Sequence, residues 1–367
     1  MKVAVVYNMK KKAHNSQLPA DFYSEFDSEK TVRAIQDALA GGGNEVSLIE
    51  ADSHFLENIL KNRDRIDIAF NIAEGEGGTS RESRVPAILD YVGIPYTGSG
   101  VLSLTVGLDK AASKKLFRYE KIPTPNFQLF SSSRDKLDES LKFPLIVKPN
   151  CEGSAKGIST ASVVNDEAHL REQIEKVSES YSQDAIVEEF IEGRELTVGV
   201  LDGAELKALP ILEIDFSNCR ESGEYFYSWR MKEYQGDLSQ HLDPQFYCPA
   251  RLDEKTARGI MDIAKRSHAA LGCCDFSRTD IRLSVDGVPY VLEVNPLPGL
   301  DPTDSNFTYI AKAAGIEYAK LINTILHNAV ERYNRKKEGI NWQKRDGGTS
   351  ICGRTLQKTS GRIGAGS

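Results

Sequence analysis

Two apolar segments joined by Asp286-Gly287 restrict the fold of this chain more than any other sequence feature. An Asp-Gly pair is typical of a two-residue turn between antiparallel strands, and a turn of known length fixes which residues of the two strands face each other. We therefore predict a β-hairpin in which Val285 pairs with Val288. This pair then determines all the pairs farther from the turn.

The predicted register gathers polar side chains on one face of the hairpin. Asp280 lies opposite Glu293 and Arg278 lies opposite Asn295. All four side chains point to the same side, because side chains alternate along a strand. The other face, which we expect to enter the core, consists of apolar residues: Ile281, Leu283, Val285, Val288, Leu292 and Val294.

Directly opposed carboxylates repel each other, so something must offset their charge. The oxygens of Asp280, Glu293 and Asn295 are hard ligands of the kind that Mg²⁺ (or Mn²⁺) prefers, and they predict a divalent-cation site. The rigid segment Asn295-Pro296-Leu297-Pro298-Gly299, directly after the strand, also favours a site. The alternative is a solvated face on which Arg278 neutralises the acids.

Two further segments have the composition of a nucleotide site. Lys148 ends a predicted strand, and the loop after it contains Gly153 and Gly157, whose backbone N–H groups could approach phosphate oxygens. The spacing is not that of a P-loop. The segment Glu188-Glu189-Phe190-Ile191-Glu192-Gly193, followed by Glu195, ends another predicted strand and could hold adenine and ribose. Taken singly, a surface turn and a strand end explain these segments as well.

The order of predicted elements divides the chain into three lobes and a tail. Residues 1–101 alternate strand, helix and strand, which predicts a parallel, Rossmann-like α/β domain. Residues 102–193 form a central lobe, and residues 194–335 form a third lobe. Within the third lobe, residues 219–249 have no clear period, which is typical of a functional lid or of disorder. Residues 336–367 are basic and then rich in Gly, Ser and Thr, and we predict a disordered tail.

The charge and cysteine content exclude several classes of protein. The net charge is −7, and the body before residue 332 is more acidic still, which argues against a nucleic-acid-binding surface. The six cysteines lack paired CxxC spacing and are expected to be reduced thiols. No signal-peptide pattern or membrane-spanning apolar run is present, so a cytoplasmic protein is expected.

Together, and in this order, these segments resemble the D-alanine–D-alanine ligase family of ATP-grasp enzymes. Three more segments contribute to the resemblance, which covers about residues 1–335: Asn71-Ile72-Ala73-Glu74-Gly75, Gly93-Ile94-Pro95-Tyr96-Thr97-Gly98-Ser99-Gly100 and Leu108-Asp109-Lys110. It implies a three-lobed ATP-grasp fold with ATP between the second and third lobes. It also implies amino-acid substrates, a homodimer and a role in peptidoglycan biosynthesis.

The resemblance implies a role for each polar position. It places Lys110 and Lys148 at the phosphates of ATP, and it places Asp280, Glu293 and Asn295 at two Mg²⁺ ions. The adenine would contact Glu188, Glu189 and Ile191, and the ribose would contact Glu195. The residues that it places at the reacting groups are Arg278 and the Gly299 N–H at the oxyanion, Ser154 and Glu25 at the first amino acid, and Lys232 on the lid. The implied reaction is phosphorylation of a carboxylate by ATP, followed by attack of an amine on the acyl phosphate.

The chain departs from the family pattern in three places. Ala155 and Lys156 stand where the family usually has a serine and an apolar residue, and Glu233 splits the Lys-Tyr pair of the lid. Asp304 falls near the serine that holds the acceptor carboxylate, and it would repel that carboxylate unless Ser305 takes over the role. Three alternatives therefore stay open: a D-alanine–D-alanine ligase, an ATP-grasp ligase with a different acceptor, and a non-catalytic nucleotide-binding module.

Overall fold

In the computed structural model, which describes residues 1–11 and 19–346 and side chains up to residue 335, the N-terminal part is a parallel sheet with helices packed against it. Its elements are β1 (Lys2–Tyr7), α1 (Glu29–Gly41), β2 (Glu45–Glu50), α2 (Phe55–Asn62), β3 (Ile68–Asn71) and α3 (Arg84–Val92). Strand β1 lies between β2 and β3 and is parallel to both, which confirms the predicted parallel α/β arrangement. Ser28 caps α1 by accepting a hydrogen bond from the N–H of Thr31.

The central part is an antiparallel four-stranded sheet. Its elements are α4 (Val101–Leu108), α5 (Lys110–Tyr119), β4 (Phe127–Phe130), β5 (Leu145–Pro149), β6 (Val163–Val164), α6 (Glu167–Tyr181) and β7 (Ala185–Glu189). The strand order is β4-β7-β5-β6. Ile146 of β5 pairs with Glu188 of β7, so Lys148 lies diagonally across from Glu188 on the same face.

The C-terminal part is an antiparallel five-stranded sheet with the strand order β10-β9-β8-β11-β12. Its elements are β8 (Gly193–Asp202), β9 (Leu206–Asp215), α7 (Trp229–Glu233), β10 (Gln245–Tyr247), α8 (Glu254–Ala270), β11 (Phe276–Ser284), β12 (Pro289–Asn295), α9 (Asn306–Ala313) and α10 (Tyr318–Asp346). Helix α10 continues to Asp346 and so includes the first residues of the segment that the sequence analysis predicts to be a disordered tail. The rest of the predicted tail, residues 347–367, lies outside the described residues.

The turn of the β11–β12 hairpin differs from the prediction. The N–H of Ser284 donates to the carbonyl of Val288 (2.9 Å), so the loop has three residues, 285–287, instead of two. Gly287, with φ of +80°, supplies the left-handed residue that three-residue hairpin loops favour. Val285 and Val288 are consequently exposed at the turn, and their predicted place on the core face is wrong.

An extra residue in β12 restores the predicted register farther from the turn. Ile281 pairs with Val291 whereas Asp280 pairs with Glu293, so Leu292 is the additional residue of a β-bulge. Val291 takes the core position that the sequence assigned to Leu292, and Leu292 lines a pocket instead. The predicted opposition of the two carboxylates is confirmed, because the longer turn and the bulge cancel in the register.

The first and third parts share one apolar core, which fixes the cleft between them. Val32 and Ile35 of α1 belong to the same buried cluster as Leu321 and Ile325 of α10. None of the five cysteines in the described part forms a disulfide, and Cys352 lies outside it. Within the same residues, no helix combines the length and the hydropathy needed to cross a bilayer.

Candidate functional site

Two adjoining pockets lie between the sheets. The first, here called the apolar pocket, has walls formed by Ile146, Phe190, Ile191, Phe226 and Leu292. The second, here called the acidic pocket, is lined by eight carboxylates: Glu25, Asp27, Glu74, Glu82, Glu152, Glu293, Asp301 and Asp304. Seven residues line both pockets: Lys110, Glu152, Tyr227, Lys232, Arg278, Glu293 and Asn306. Three of these are cations, so the border between the pockets concentrates positive charge.

Two lysines meet a buried carboxylate at the apolar pocket. Lys148 Nζ lies 2.8 Å from Glu188 Oε2, and Lys114 Nζ, on α5, lies 3.3 Å from the same oxygen. Burial alone would raise the pKa of Glu188, but Lys114 and Lys148 outweigh burial and hold the pKa below its ordinary value, so the carboxyl is ionised. Burial also lowers the pKa of Lys114 to about 8. The sequence analysis missed Lys114, although it lies one helical turn after Lys110.

A second arginine of β11 organises the far end of the apolar pocket. Arg282 donates to Glu195 Oε2 (2.9 Å) and to the carbonyl of Ile191 (3.1 Å). Its guanidinium lies 5.3 Å from the ring centre of Phe190. Arg282 thus holds together Glu195 and Ile191, to which the resemblance gives roles at ribose and adenine. Arg282 itself was overlooked, although the alternation that selected Arg278 extends to it.

The opposed carboxylates of the hairpin each have a cation beside them. Arg278 Nη2 lies 2.8 Å from Asp280 Oδ2, and the Thr197 hydroxyl also donates to Asp280 (2.9 Å). Lys110 Nζ lies 3.1 Å from Glu293 Oε2. Although burial opposes ionisation, Lys110 is the main cation that lowers the pKa of Glu293, to about 2. Lys110 and Arg278 therefore offset the repulsion of the two carboxylates, so the repulsion alone does not require a metal.

The donor set nevertheless fits a divalent cation that brings ligands of its own. Among the described residues, no three or more His, Cys, Asp or Glu side chains are gathered as a complete metal site. Asp280 lines the apolar pocket, Asn295 lines the acidic pocket and Glu293 lines both. The side chains of Asp280 and Glu293 stay 19% and 28% exposed, so they are accessible from the pockets. Two carboxylates and an amide suit Mg²⁺ when phosphate oxygens complete its coordination.

The predicted lid, residues 219–249, is ordered and folded onto the acidic pocket. The indole Nε1–H of Trp229, on α7, donates to the Ser24 hydroxyl (3.0 Å), and the backbone N–H of Trp229 donates to the carbonyl of Ile158 (3.1 Å). Lys232 Nζ lies 3.5 Å from the Ser154 hydroxyl, which brings two predicted site residues together. Burial, reinforced by Arg278, lowers the pKa of Lys232.

Glu25 is enclosed by a buried ion-pair network. Its carboxylate accepts from Arg81 (2.8 Å), from Lys156 (2.7 Å) and from the N–H of Gly153 (2.9 Å). Burial disfavours the charge, but Arg81 and Lys156 lower the pKa of Glu25 to about 2. Lys156, a departure from the family pattern, therefore has a structural partner. The predicted binding of a substrate ammonium by Glu25 would have to share a carboxylate that three donors already engage.

The segment after β12 closes the acidic pocket. Gly299, Asp304 and Ser305 line it together with Ser154. The Ser305 hydroxyl donates to the carbonyl of Gly299. The sequence-predicted residues thus divide between the two pockets, with Lys110, Lys232, Arg278 and Glu293 at their border.

The raised pKa of Glu82 should make the stability of the fold depend on pH. Burial, opposed by Arg81 and reinforced by Glu25, raises the pKa of Glu82 to about 8. Between the ordinary pKa and pH 8, the native state holds a proton that the unfolded chain has lost, so stability falls as the pH rises. The unmodified chain should lose unfolding free energy between pH 5 and pH 8, and Glu82→Gln should lose less over the same range, by about 1 kcal/mol or more. Urea denaturation at each pH measures the unfolding free energy. Glu57→Gln, on the exposed face of α2, is the control, and equal pH profiles for Glu82→Gln and the unmodified chain would contradict the prediction.

Sequence comparisons place this chain beside one group of enzymes. The family model described as D-ala D-ala ligase C-terminus matches residues 116–327. The D-alanine–D-alanine ligase of Carboxydothermus hydrogenoformans is 35% identical over 313 residues, which cover 83% of this chain and 94% of that protein. The enzyme of the same name from Pelotomaculum thermopropionicum is 34% identical over 315 residues, covering 83% and 92%. An uncharacterized protein of Sinorhizobium fredii is 35% identical over 312 residues, covering 83% and 88%.

Solved structures give the same similarity. The D-alanine–D-alanine ligase of Bacillus anthracis aligns with a TM-score of 0.72 and 26% identity, over 92% of this chain and 99% of that one. The VanG D-Ala:D-Ser ligase of Enterococcus faecalis, 21% identical, shares the fold with a TM-score of 0.68 over 89% of this chain and 99% of that one.

Proposed function

The chain belongs to the D-alanine–D-alanine ligase family, and on that premise we propose that it joins a carboxylate to an amine through an acyl phosphate formed from ATP. One observation carries the proposal. An apolar pocket and an acidic pocket meet at Lys110, Lys232 and Arg278, with Glu293 between them. Phosphoryl transfer between a nucleotide and a carboxylate needs positive charge at that border.

We assign the apolar pocket to ATP. Its aromatic and aliphatic walls suit a purine, and Glu195, held by Arg282, is placed to accept hydrogen bonds from ribose hydroxyls. Lys110 lies at the border and Lys148 lines the apolar pocket, and both would contact the phosphates. The backbone of Glu189 and Ile191 would contact the adenine edge, while the Glu188 carboxylate keeps Lys148 oriented.

Asp280, Glu293 and Asn295 would hold Mg²⁺, which when bound neutralises charge on the phosphate oxygens. Arg278 and Lys110, now paired with these carboxylates, would then be released in part to face the substrates. Arg278, which lines both pockets, is charged at every working pH because nearby carboxylates raise its pKa despite its burial.

The reaction follows from this placement. An oxygen of the carboxylate substrate attacks the γ-phosphorus and ADP leaves, which gives an acyl phosphate. The amine nitrogen then attacks the carbonyl carbon, and phosphate departs with the oxygen that it received. Arg278 and the N–H of Gly299 would stabilise the oxyanion of this second step. The closed lid, with Lys232 against Ser154, would keep water from hydrolysing the acyl phosphate.

The family also leads us to propose a homodimer. Multi-angle light scattering should then give twice the chain mass of 40.6 kDa, and a monomeric mass at micromolar concentration would contradict it.

Hydroxylamine tests the proposed activity without knowledge of the natural amine, because it converts acyl phosphates to stable hydroxamates. With ATP, Mg²⁺ and a panel of amino acids as carboxylate donors, we expect hydroxamate and ADP in equal amounts. Lys148→Met should lower the rate by about 10²-fold or more, since one charge contact with the transferring phosphate is lost. Lys142→Met, an exposed lysine before the same strand, should leave it unchanged. ATP binding without hydroxamate from any donor would instead support a non-catalytic nucleotide-binding module.

A further inference from the structure

The acidic pocket has an unbalanced charge at the end away from the nucleotide. Of the four cations that line the pocket, Lys110, Lys232 and Arg278 stand at the border with the apolar pocket. The fourth, Lys10, has its Nζ 3.8 Å from Glu233. Away from the border, the other ionisable side chains that line the pocket are carboxyl groups, and among them Glu25 and Glu152 are the ones that Arg81 and Lys156 balance in the described part of the chain. This end of the cleft therefore favours a cationic ligand over an anionic one.

Two carboxylates of this pocket lack partners of their own. Glu82 is only 6% exposed, and its Oε2 has no hydrogen-bond partner among the described residues. Glu74, whose pKa is raised by burial and by the charge of Glu82, makes no hydrogen bond or ion pair within the same part of the chain. Burial without a partner favours the protonated form of Glu82, and a cation bound beside it would stabilise the ionised form.

Asp27 and Asp301 add to the same imbalance from two other elements. Burial, together with the neighbouring charge of Asp301, raises the pKa of Asp27 to about 7. Asp27 precedes the N-cap of α1, whereas Asp301 lies between β12 and α9. Carboxylates from separate elements thus converge on one space, with the imbalance that a cationic ligand would correct.

Near the position where the family resemblance puts an acceptor carboxylate, the chain supplies a carboxylate of its own, that of Asp301. One oxygen of Asp301 accepts from the N–H groups of Thr303 (2.7 Å) and Asp304 (2.9 Å), just before α9. Its other oxygen accepts from the Thr31 hydroxyl (2.8 Å). These donors are therefore not available to a substrate carboxylate, and Asp304 lines the pocket beside them.

From these contacts we propose that the acceptor is a polyamine-like or basic compound, which places a second cationic group against Glu82 and Glu74 and carries no free carboxylate at that end. This inference rests on the proposed ligase function. In the acceptor step the neutral amine forms a bond to the acyl carbon and the bond from carbon to the phosphate oxygen breaks. Phosphate takes the electron pair, and the proton lost by nitrogen leaves with it. The second ammonium group stays charged and is held by the carboxylates.

Matched acceptors test the charge and the carboxylate separately. 1,4-Diaminobutane and n-butylamine share a chain length and differ by one cationic group, while D-alaninamide and D-alanine differ by one carboxylate charge. With each donor that yields hydroxamate, we expect the KM for 1,4-diaminobutane to be about tenfold or more below that for n-butylamine. D-Alaninamide should likewise be a better acceptor than D-alanine. Products are identified by mass and rates by phosphate release.

A variant ties the preference to the pocket. Glu82→Gln should raise the KM for 1,4-diaminobutane about tenfold with little change in kcat, and should leave the KM for n-butylamine unaltered. A purely structural role of Glu82 would change both acceptors alike. Turnover that is as efficient with D-alanine as with the diamine, or hydroxamate formation without any diamine product, would overturn this inference while the ligase function stands. Absence of hydroxamate with every donor would instead remove the ligase function itself, and this inference with it.

Discussion

Replacement of Asp280 by asparagine is expected to lower kcat for ATP-dependent phosphate release by about 10³-fold. The change keeps the size of the side chain and removes one of the two charges that would hold Mg²⁺ against the phosphates. Loss of roughly 4 kcal/mol of transition-state stabilisation corresponds to that factor. Asp280 also pairs with Arg278, so the variant would leave this guanidinium without its main partner.

The same hairpin provides a control for this variant. Asp286→Asn makes an identical chemical change at the turn, away from both pockets, and should keep the rate within about twofold. Titration with Mn²⁺ in the presence of a non-hydrolysable ATP analogue should show weaker metal binding for Asp280→Asn and none of that loss for Asp286→Asn. Equal turnover by both variants would refute the metal assignment.

Arg81→Met is expected to lower the unfolding free energy by roughly 3–5 kcal/mol, the largest stability effect that we predict. Arg81 is 4% exposed, and its guanidinium joins Glu25 (2.8 Å) to Glu152 (3.2 Å) and to the carbonyl of Cys151 (2.8 Å). Methionine has a similar length but no charge, so Lys156 would be the one cation left beside Glu25 and Glu152 among the described residues. Lys61→Met, at an exposed pair on α2, should cost less than about 1 kcal/mol.

The pH dependence distinguishes a lost ion pair from lost packing. Because Arg81 and Lys156 hold the folded-state pKa of Glu25 at about 2, below the ordinary 4.5, this contribution is present above pH 4.5 and disappears as the pH falls. The difference between Arg81→Met and the unmodified chain should therefore shrink between pH 5 and pH 3. A difference that is constant over this range would indicate that packing, and not charge, is what the variant loses.

The sequence predicts this site best where its residues lie on one hairpin. Side-chain alternation placed Arg278, Asp280, Glu293 and Asn295 on one face, and the structure confirms their pairing. The turn itself was misjudged, because an Asp-Gly pair occurs in three-residue loops as well as in two-residue turns. The bulge at Leu292 has no local sequence signal, and only the structure shows that it compensates.

Contacts between distant segments could not be predicted in the same way. Arg81 and Lys156 lie 56 and 131 positions from Glu25, and no periodicity connects them. The charge of the acidic pocket likewise emerges only when the loops after β3 and β12 and the segment between β1 and α1 are brought together. Lys114 and Arg282 were within reach of sequence reasoning, since helical and strand periodicity place them beside Lys110 and Asp280.

Isotope transfer tests the central claim, that this cleft activates a carboxylate as an acyl phosphate. A donor carboxylic acid labelled with ¹⁸O in both carboxyl oxygens is incubated with ATP, Mg²⁺ and an amine that supports turnover, and the released phosphate is analysed by mass spectrometry. The account predicts one ¹⁸O atom in each phosphate formed along with amide product. Unlabelled phosphate accompanying the same amide would show that ATP is cleaved without an acyl phosphate, and would contradict it.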